Sequence, residues 1–256
     1  MNIRSSKVVK LFGIPINAMT MAEVLALVHQ TIAAHSRLQI GVVNVAKVVN
    51  MRRNKILRDD VLASDIILAD GSGVVLACRL LGQALPERVP GIDLMFNILK
   101  QGDEQGYRVH CFGATEEINQ TVAGRIREEY PNVKVVGRRN GYFSDQDEKG
   151  IAKEIALAEP DVLFVAMSPP KKEKFMARWG EAMGVPVCHG VGGSFDVMAG
   201  KTQRAPEAWQ RAGLEWLYRV KEEPRRMWKR YLVTNTLFAA MLAGELVRHY
   251  LRFKSN

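Results

Sequence analysis

A carboxylate, a glycine turn and an arginine occur close together between residues 66 and 93 and could act on a phosphate ester or a sugar nucleotide. The apolar run Ile66–Ala69 stops at the segment DGSG, positions 70–73, and a second apolar run begins at Val74. This pattern predicts a strand, a tight turn and a helix, with Asp70 at the carboxyl end of the strand. Asp70 could then serve as a base, while the turn amides and Arg88 hold phosphate charge.

Each of these groups also has a purely structural interpretation. Asp70 and Gly71 could form only a turn and a helix cap. Arg88 could be a solvated or salt-bridged arginine, and Asp93 could be the N-cap of a helix over residues 94–99. The spacing alone leaves both interpretations open.

The segment GVGGSFD, residues 190–196, is the richest glycine loop of the chain. Gly192 and Gly193 would let the backbone approach a diphosphate, and Asp196 could accept hydrogen bonds from ribose or sugar hydroxyls. A structural turn with Asp196 as a helix cap fits these residues equally well. The segment fails as a dinucleotide fingerprint, because it lacks the last glycine of that motif and lies late in the chain.

Two other predicted strand ends have groups that could bind a nucleotide sugar. Gly113 and Ala114 follow an apolar run and would bring backbone amides to a phosphate or a uridine ribose. Lys171 and Glu173 are charged residues at the start of a predicted helix. A plain strand-to-helix turn and a solvated first helical turn are the corresponding structural interpretations.

A metal site is not indicated. Asp145-Gln146-Asp147 has an Asp-x-Asp spacing that can hold a divalent ion under a diphosphate. The triplet follows Ser144 and does not end an apolar strand, so it is interpreted as the capped first turn of a helix. The five histidines show no ligand spacing. We expect no metal and no cofactor, and arginines must then neutralise a leaving diphosphate.

The composition is that of an ordinary globular protein, with 256 residues, of which 47% are hydrophobic and 25% charged. Three widely spaced cysteines, Cys78, Cys111 and Cys188, indicate neither a metal site nor a disulfide framework. We therefore expect the protein to reside in the reducing environment of the cytoplasm. The first residues contain no apolar run long enough for a secretory signal.

Strand-like and helix-like runs alternate along most of the chain. Thr20 and Glu23 have the spacing of a capping box ahead of the first helix, and the apolar run 162–167 precedes a helical pattern over 170–183. Alternation of this kind predicts an α/β fold, a Rossmann-like parallel β-sheet core flanked by helices, with ligands at the carboxyl ends of the strands. The α/β catalytic domain is expected to span residues 1–203.

Residues 204–256 are strongly basic, in a chain whose net charge is +9. Such a segment could face nucleic acid, an anionic membrane or a diphosphate. Interleaved apolar residues, among them Trp216 and Trp228, favour a membrane interface over RNA. The apolar stretch Tyr231–Val247 is short for a membrane span, which favours an interfacial or oligomer-packing helix. We expect a helical basic C-terminal appendage at an anionic membrane surface, and no nucleic-acid partner.

Several segments together resemble one protein family over nearly the whole chain. They are ADGSGVV (69–75), ERVPGIDL (87–94), GYF (141–143), PKKE (170–173), GVGGSFDVMAG (190–200), RAP (204–206) and EWLYRVKEEPRR (215–226). In this order they resemble the WecG/TagA/CpsF family, glycosyltransferase family 26.

The resemblance implies an inverting, metal-independent transfer of a sugar, of N-acetylmannosamine type or glucose, in cell-surface or exopolysaccharide biosynthesis. The implied donor is a UDP-sugar and the implied acceptor a polyprenyl-diphosphate-linked sugar. Asp70 would be the base, Asn44 would orient a substrate, and Arg88 would hold phosphate charge. The expected substrate-binding residues are Gly71, Asp93, Gly113, Ala114, Lys171, Glu173, Gly192, Gly193, Asp196, Arg204, Arg219 and Arg226.

The resemblance also implies that the appendage packs over the active site and directs the enzyme to the inner face of the plasma membrane. A homo-oligomer is possible. Four residues depart from the family pattern: Val42 replaces a threonine, Ser168 a glycine, Lys172 a glutamine and Lys229 an arginine. These departures weaken the choice of donor sugar and acceptor.

Two other classes of protein fit parts of the sequence. A non-enzymatic basic adaptor for a membrane surface or nucleic acid would use the sheet only as a scaffold, and its binding would fall steeply with salt. A sugar-nucleotide epimerase would need a redox cofactor or a second acid and base, and the sequence shows no candidate for either.

Overall fold

The computed structural model describes residues 7–254, apart from the side chains at positions 226, 250 and 252–254. Its strands are β1 (Val8–Leu11), β2 (Ile14–Asn17), β3 (Leu38–Val43), β4 (Ile66–Ala69), β5 (Arg108–Gly113), β6 (Lys134–Arg139), β7 (Val162–Ala166) and β8 (Val187–Gly190).

Helices lie in the connections between the strands of the central sheet, and further helices follow β8. They are α1 (Met21–Ala33), α2 (Val45–Arg53), α3 (Lys55–Leu62), α4 (Ser72–Leu80), α5 (Gly91–Gln105), α6 (Glu116–Glu129), α7 (Glu148–Leu157), α8 (Lys171–Met183), α9 (Ser194–Met198), α10 (Glu207–Arg211), α11 (Glu215–Glu222) and α12 (Pro224–Lys254).

The centre of the fold is a parallel sheet of six strands in the order β4-β3-β8-β7-β5-β6. In β4, Ile66 and Leu68 belong to the core cluster on one face, with α1 and α5, while Ile67 and Ala69 belong to the cluster on the other, with α2 and α4. Strands covered by helices on both faces are apolar at nearly every position. The predicted parallel α/β sheet, Rossmann-like in arrangement, is confirmed.

The strand register brings the candidate groups to one edge of the sheet. Val43 of β3 pairs with Ala69 of β4, so the residues that follow, Asn44 and Asp70, are neighbours at the carboxyl edge. The chain leaves β5 outward to β6 but leaves β7 inward to β8. Connections that diverge in this way open a crevice between the carboxyl ends of the two strands, where ligands bind in such sheets.

Several local predictions can be compared directly with the fold. The capping box is confirmed, because Thr20 Oγ1 accepts from the Glu23 N–H at 3.2 Å and Glu23 Oε2 from the Thr20 N–H at 2.8 Å. The three cysteines are free and buried. The alternative that Asp93 is an N-cap is wrong. The helix begins at Gly91, directly after Pro90 in extended conformation, and Asp93 lies in its first turn.

Helix α12 packs against the same chain. Phe238 is buried and contacts Phe12 edge-on, with ring centroids 5.6 Å apart. Leu237, Met241 and Leu242 pack on the cluster that contains α2 and the β1–β2 hairpin. Within residues 7–254, no helix is both long enough and apolar enough to cross a membrane.

Candidate active site

Asp70 lies directly after β4 and is half-buried, with a hydrogen bond to each carboxylate oxygen. Oδ1 accepts from the Gly91 N–H at 2.9 Å, and Oδ2 accepts from Asn44 Nδ2 at 3.3 Å. The donors come from the start of α5 and the end of β3, so two separate elements set the direction of the carboxylate. A carboxylate oriented by donors and still partly open to solvent can accept a proton from a bound hydroxyl.

Asn44 connects this carboxylate to helix α2. Its Oδ1 accepts from the Lys47 N–H at 3.0 Å and caps the helix, which leaves Nδ2 to donate to Asp70. Gly71 packs closely against the same residue, because a Cβ there would lie 3.2 Å from the Asn44 Cβ. The predicted site residues Asp70, Asn44 and Gly71 therefore form one compact group.

Arg88 and Arg204 belong to a chain of alternating charges beside this group. Arg88 Nη1 lies 2.5 Å from Glu215 Oε2, and Arg204 Nε lies 3.8 Å from Glu215 Oε1. At the other end, Arg204 Nη2 lies 2.5 Å from Asp93 Oδ1. The predicted residues Arg88, Asp93 and Arg204 are thus brought together, with Glu215 of the C-terminal part between the two arginines.

The arginines of the C-terminal part differ in what the structure describes of them. Arg219 is exposed on α11 and lines a pocket together with Arg204, Glu215 and Ile92. The side chain of Arg226, on α12, lies outside the described atoms, so its role stays a prediction.

The predicted loop at Gly113 and Ala114 lies at the crevice between β5 and β7. Both residues have positive φ, 122° and 56°. A Cβ at Gly113 would lie 2.3 Å from the Ala166 carbonyl oxygen, so only glycine allows these strand ends to approach. Gly141 closes the same corner, because its N–H donates to the Ala114 carbonyl at 2.9 Å.

Lys171 also lies at this corner, at the first position of α8. Its Nζ donates to the carbonyls of Gly141 and Phe143 at 3.0 and 3.1 Å and lies 3.5 Å from the centroid of the Phe143 ring. The ammonium thus holds the GYF loop in place at the crevice. Its predicted contact with a substrate is untested by this geometry.

The loop after β8 has the predicted open backbone. Gly192 has a φ of 54°, and a Cβ there would have no heavy atom within 4 Å. Gly193 precedes α9, and Asp196 lies on α9 with its Oδ1 3.7 Å from Lys201 Nζ. Asp196 is therefore a helical residue with a surface ion pair and remains a candidate for a hydroxyl contact.

Glu173 occupies a buried cluster of charges under the carboxyl edge, with only 6% of its surface exposed. Its Oε1 lies 2.9 Å from Lys47 Nζ and 3.4 Å from Lys172 Nζ. Burial alone would raise the pKa of the Glu173 carboxyl, but the two ammonium groups lower it on balance. Burial, reinforced by Lys47, lowers the pKa of Lys172 to about 8.

Lys172, which replaces a glutamine of the family pattern, has a structural role in this cluster. The Lys172 ammonium lies beside Glu173 and within 3.5 Å of the Gly190 carbonyl oxygen, so one carboxylate serves two lysines. A glutamine there would add no charge to the interior. The predicted substrate role of Glu173 remains untested by these contacts.

The prediction that the Asp-x-Asp segment is the capped first turn of a helix is wrong: residues 145–147 form a turn, and α7 begins at Glu148 after Asp147, whose side chain makes no cap hydrogen bond to the helix. Both carboxylates instead bind neighbouring side chains and backbone. Asp147 Oδ2 accepts from Ser144 N–H at 2.8 Å and from Ser144 Oγ at 2.7 Å, and Asp145 pairs with Lys174 Nζ at 2.9 Å. Across the described side chains, no group of three or more His, Cys, Asp or Glu residues could hold a metal ion.

Lys47, Gly91 and Glu215 contact the site but are not among the residues predicted from sequence. Glu215 is an acidic residue at the head of the basic EWLYRVKEEPRR segment, and that contrast is a usable signal. Lys47 follows Asn44 by one helical turn. The Gly91 contact is made by a backbone N–H, so the amino-acid type at this position gives no indication of it.

The whole arrangement combines a positioned carboxylate, two arginines and open backbone loops at the carboxyl edge of a parallel sheet. These are suitable groups for removing a proton from a hydroxyl, holding phosphate charge and seating a nucleotide sugar. An adaptor would need none of the groups around Asp70.

Comparison with known proteins agrees with this chemistry. The model of the family described as "Glycosyl transferase WecG/TagA/CpsF family" matches residues 9–252. Proteins from Bacillus spizizenii and Bacillus subtilis named N-acetylglucosaminyldiphosphoundecaprenol N-acetyl-beta-D-mannosaminyltransferase are 36% and 41% identical to this chain over 183 and 174 residues. The alignments cover 72% and 68% of this chain and 70% and 67% of the relatives.

A Staphylococcus aureus protein of the same name is 37% identical over 164 residues, which are 64% of this chain and 62% of the relative. The chain is therefore a glycosyltransferase. It belongs to the WecG/TagA/CpsF family, and the non-enzymatic adaptor is rejected as its primary function.

Proposed function

We propose that this enzyme transfers a sugar of N-acetylmannosamine type from a UDP-sugar to a polyprenyl-diphosphate-linked sugar, with inversion and without a metal ion. The acceptor and the sugar are proposed by analogy with the relatives, whose names specify an N-acetylmannosaminyl group and an N-acetylglucosaminyl-diphosphoundecaprenol acceptor. The product would serve cell-surface or exopolysaccharide biosynthesis.

The orientation of Asp70 is the observation that carries this proposal. Its carboxylate takes the proton of the acceptor hydroxyl while the hydroxyl oxygen bonds to the anomeric carbon. The bond between that carbon and the diphosphate oxygen breaks in the same step, and the electron pair leaves with UDP. Attack opposite to the leaving group inverts the configuration, so a single carboxylate acting as base is sufficient.

The arginines provide the charge that a metal would otherwise supply. Arg88 and Arg204 are half-buried and share Glu215 between them. A diphosphate placed there would replace carboxylate partners with phosphate partners, and guanidinium groups bind phosphate with paired hydrogen bonds. Arg219 lines the adjoining pocket, and Arg226 is assigned to the same role from its sequence position.

The loops at the crevice would seat the nucleotide sugar. Gly192 and Gly193 leave the backbone open at the end of β8, and backbone amides are good partners for phosphate and ribose oxygens. At the end of β5 the Ala114 N–H already donates to the Ala166 carbonyl at 2.8 Å, so Gly113 and Ala114 would shape the crevice. Lys171 keeps the facing GYF loop in position. Val42 has no hydroxyl to offer where the family has threonine, so Asn44 would orient the substrate without it.

A lipid-linked acceptor would bring the reaction to a membrane surface. Exposed apolar residues on α11 and α12, including Trp216, Trp228 and Leu232, alternate with arginines and lysines. Amphipathic basic helices of this kind bind anionic lipid surfaces. The C-terminal part would dock at the inner face of the plasma membrane and bring the Arg88–Glu215 region to the lipid-linked diphosphate.

The proposal is tested by UDP release from a panel of UDP-sugars, with a short-chain polyprenyl-diphosphate N-acetylglucosamine acceptor and EDTA in every reaction. We expect acceptor-dependent release from the N-acetylmannosamine donor, and a product whose mass increases by one such residue. Release that requires an added divalent ion would contradict the metal-free mechanism. Equal release with and without acceptor would contradict the transfer itself.

A further inference from the structure

His189 is a polar residue at the carboxyl end of the apolar strand β8, and none of its surface is exposed. A buried imidazole destabilises the fold unless it forms hydrogen bonds. The one that the structure shows joins His189 Nε2 to the Gly91 carbonyl oxygen at 2.9 Å. Among the described residues, Nδ1 has no hydrogen-bond partner.

The direction of this hydrogen bond follows from the carbonyl. A carbonyl oxygen can only accept, so Nε2 has the proton and Nδ1 is bare. Burial lowers the pKa of His189 to about 4, against a smaller opposite effect of the Gly91 hydrogen bond. The imidazole is therefore neutral at neutral pH, with a fixed tautomer that donates to Gly91.

Gly91 connects this histidine to the proposed base. Its carbonyl accepts from His189, and its N–H donates to Asp70 Oδ1 at 2.9 Å. A Cβ on Gly91 would lie 3.6 Å from Val42 Cγ2 and 3.7 Å from His189 Cε1, so the backbone of Gly91 is closely packed between these side chains. Both polar groups of one buried residue are thus engaged, one by the histidine and one by the carboxylate.

We propose that His189 is a positioning residue for the transfer reaction. It fixes the backbone of Gly91, and the Gly91 N–H in turn aims the Asp70 carboxylate at the acceptor hydroxyl. This inference rests on the proposed role of Asp70 as the base. His189 does not touch the substrate, and its effect passes through Asp70.

A second buried histidine provides a matched control. His110, on β5, is 1% exposed, and burial likewise lowers its pKa to about 4. Its Nδ1 also has no hydrogen-bond partner within the described part of the chain. No hydrogen bond that the structure shows joins His110 to Gly91 or Asp70, so replacing it tests only the cost of changing a core histidine.

The test compares His189→Phe, His189→Gln, His189→Asn and His110→Phe with the wild type in kcat, KM for the donor and urea stability. Glutamine can place an amide N–H near the position of Nε2, whereas the shorter asparagine cannot. We expect His189→Phe and His189→Asn to lower kcat by on the order of tenfold to a hundredfold, with donor KM little changed. His189→Gln should recover most of the rate, and His110→Phe should retain it even where stability falls.

A double-variant comparison separates positioning from general damage. In an Asp70→Asn chain, adding His189→Gln or His189→Asn should cause no further loss, because the group that they act through is gone. An equal loss in both backgrounds, or wild-type kcat in both His189→Phe and His189→Asn, would overturn the positioning role. If His189→Phe does not fold, the Gln and Asn pair gives the result. Full activity of Asp70→Asn itself would instead remove the proposed base and, with it, this inference.

Discussion

At the residue scale, the site depends on which partners each charged side chain binds. Asp70 is held by two neutral donors, the Gly91 N–H and the Asn44 amide, and no cation binds it within the described contacts. The nearby Lys47 and Lys172 both pair with Glu173 inside the fold. The carboxylate proposed as the base is therefore kept apart from the cations that would tie it up.

The pH dependence of stability provides a residue-scale prediction for Lys172. Its pKa is about 8 in the folded chain against an ordinary value of 10.5, so between these values the unfolded chain binds more protons. Stability from this group must then rise with pH. Relative to Lys172→Met, the wild type should gain on the order of 2 kcal/mol between pH 7.5 and 10.

Urea unfolding of both chains at the two pH values gives this difference directly. Lys172→Met leaves both residues of the Lys47–Glu173 pair unchanged, so the comparison isolates the second lysine. A stability difference that stays constant with pH would show that burial does not depress the Lys172 pKa.

Individual partners were the least predictable part of the site. The Asp70, Asn44 and Gly71 group is adjacent because Val43 of β3 pairs with Ala69 of β4, a register that the alternation of strands and helices in the sequence does not specify. Glu215 approaches Arg88 across more than a hundred positions of sequence, and its contact depends on how the C-terminal part folds back. Glu173 occurs in a charged first turn that suggests a solvated surface, yet the packing of α8 on β8 and α3 buries it.

At the element scale, one glycine determines how the C-terminal part reaches the site. Gly213 has a φ of 73°, and a Cβ there would lie 2.8 Å from both Cβ and Oγ of Ser72. The Ser72 hydroxyl donates to the Gly213 carbonyl at 2.9 Å. Glu215 follows two residues later, so this close approach to the DGSG turn places it beside Arg88.

Gly213→Ala should therefore weaken both stability and transfer. The alanine must adopt the left-handed backbone conformation, which costs roughly 1 kcal/mol of stability. Its Cβ also conflicts sterically with Ser72. Gly82 is the matched control, since its φ is 70° and a Cβ there has no heavy atom within 4 Å. Urea unfolding and transfer rates should show a larger loss for Gly213→Ala than for Gly82→Ala.

A second substitution checks the steric cause. Ser72→Gly in the Gly213→Ala chain removes both conflicting atoms and should recover part of the loss. Equal effects of the two alanine substitutions, or no recovery, would contradict the proposed contact between this loop and the DGSG turn.

Most elements could be predicted because local signals and tertiary packing agree. Strand β4 matches the apolar run Ile66–Ala69, and α1 begins at its capping box. Helix α5 begins earlier than the predicted start at residue 94. Pro90 is in an extended conformation, and the helix begins at the next residue, Gly91, despite the weak helix propensity of glycine. Asp93 then lies on the first turn, where it can reach Arg204.

At the scale of the whole molecule, charge and apolar surface lie together on the C-terminal helices. One side of α12 is buried through Phe238 against the sheet domain, while Trp228 and Leu232 remain 51% and 58% exposed. These two residues are one turn apart and lie among basic side chains such as Lys229. The boundary at residue 203 remains a proposal, because α12 also packs on the first domain.

Vesicle binding tests this surface. Wild-type protein should sediment with phosphatidylglycerol-containing vesicles at low salt and release as the salt concentration rises. Leu232→Ser should weaken binding by roughly fivefold, the equivalent of about 1 kcal/mol of apolar burial. Leu157→Ser is the control, because Leu157 is 75% exposed on α7, outside the C-terminal helices. Equal weakening by both substitutions would contradict a membrane-binding role for α12.

The central claim is that Asp70 is the base of a metal-independent sugar transfer. The most direct measurement is the rate of transfer to the lipid-linked acceptor, with EDTA present, for wild type, Asp70→Asn and Asp145→Asn. We expect Asp70→Asn to lose about a hundredfold or more, and Asp145→Asn, which alters only an exposed pair with Lys174, to keep the wild-type rate. Wild-type turnover by Asp70→Asn, or its loss in Asp145→Asn, would contradict the account.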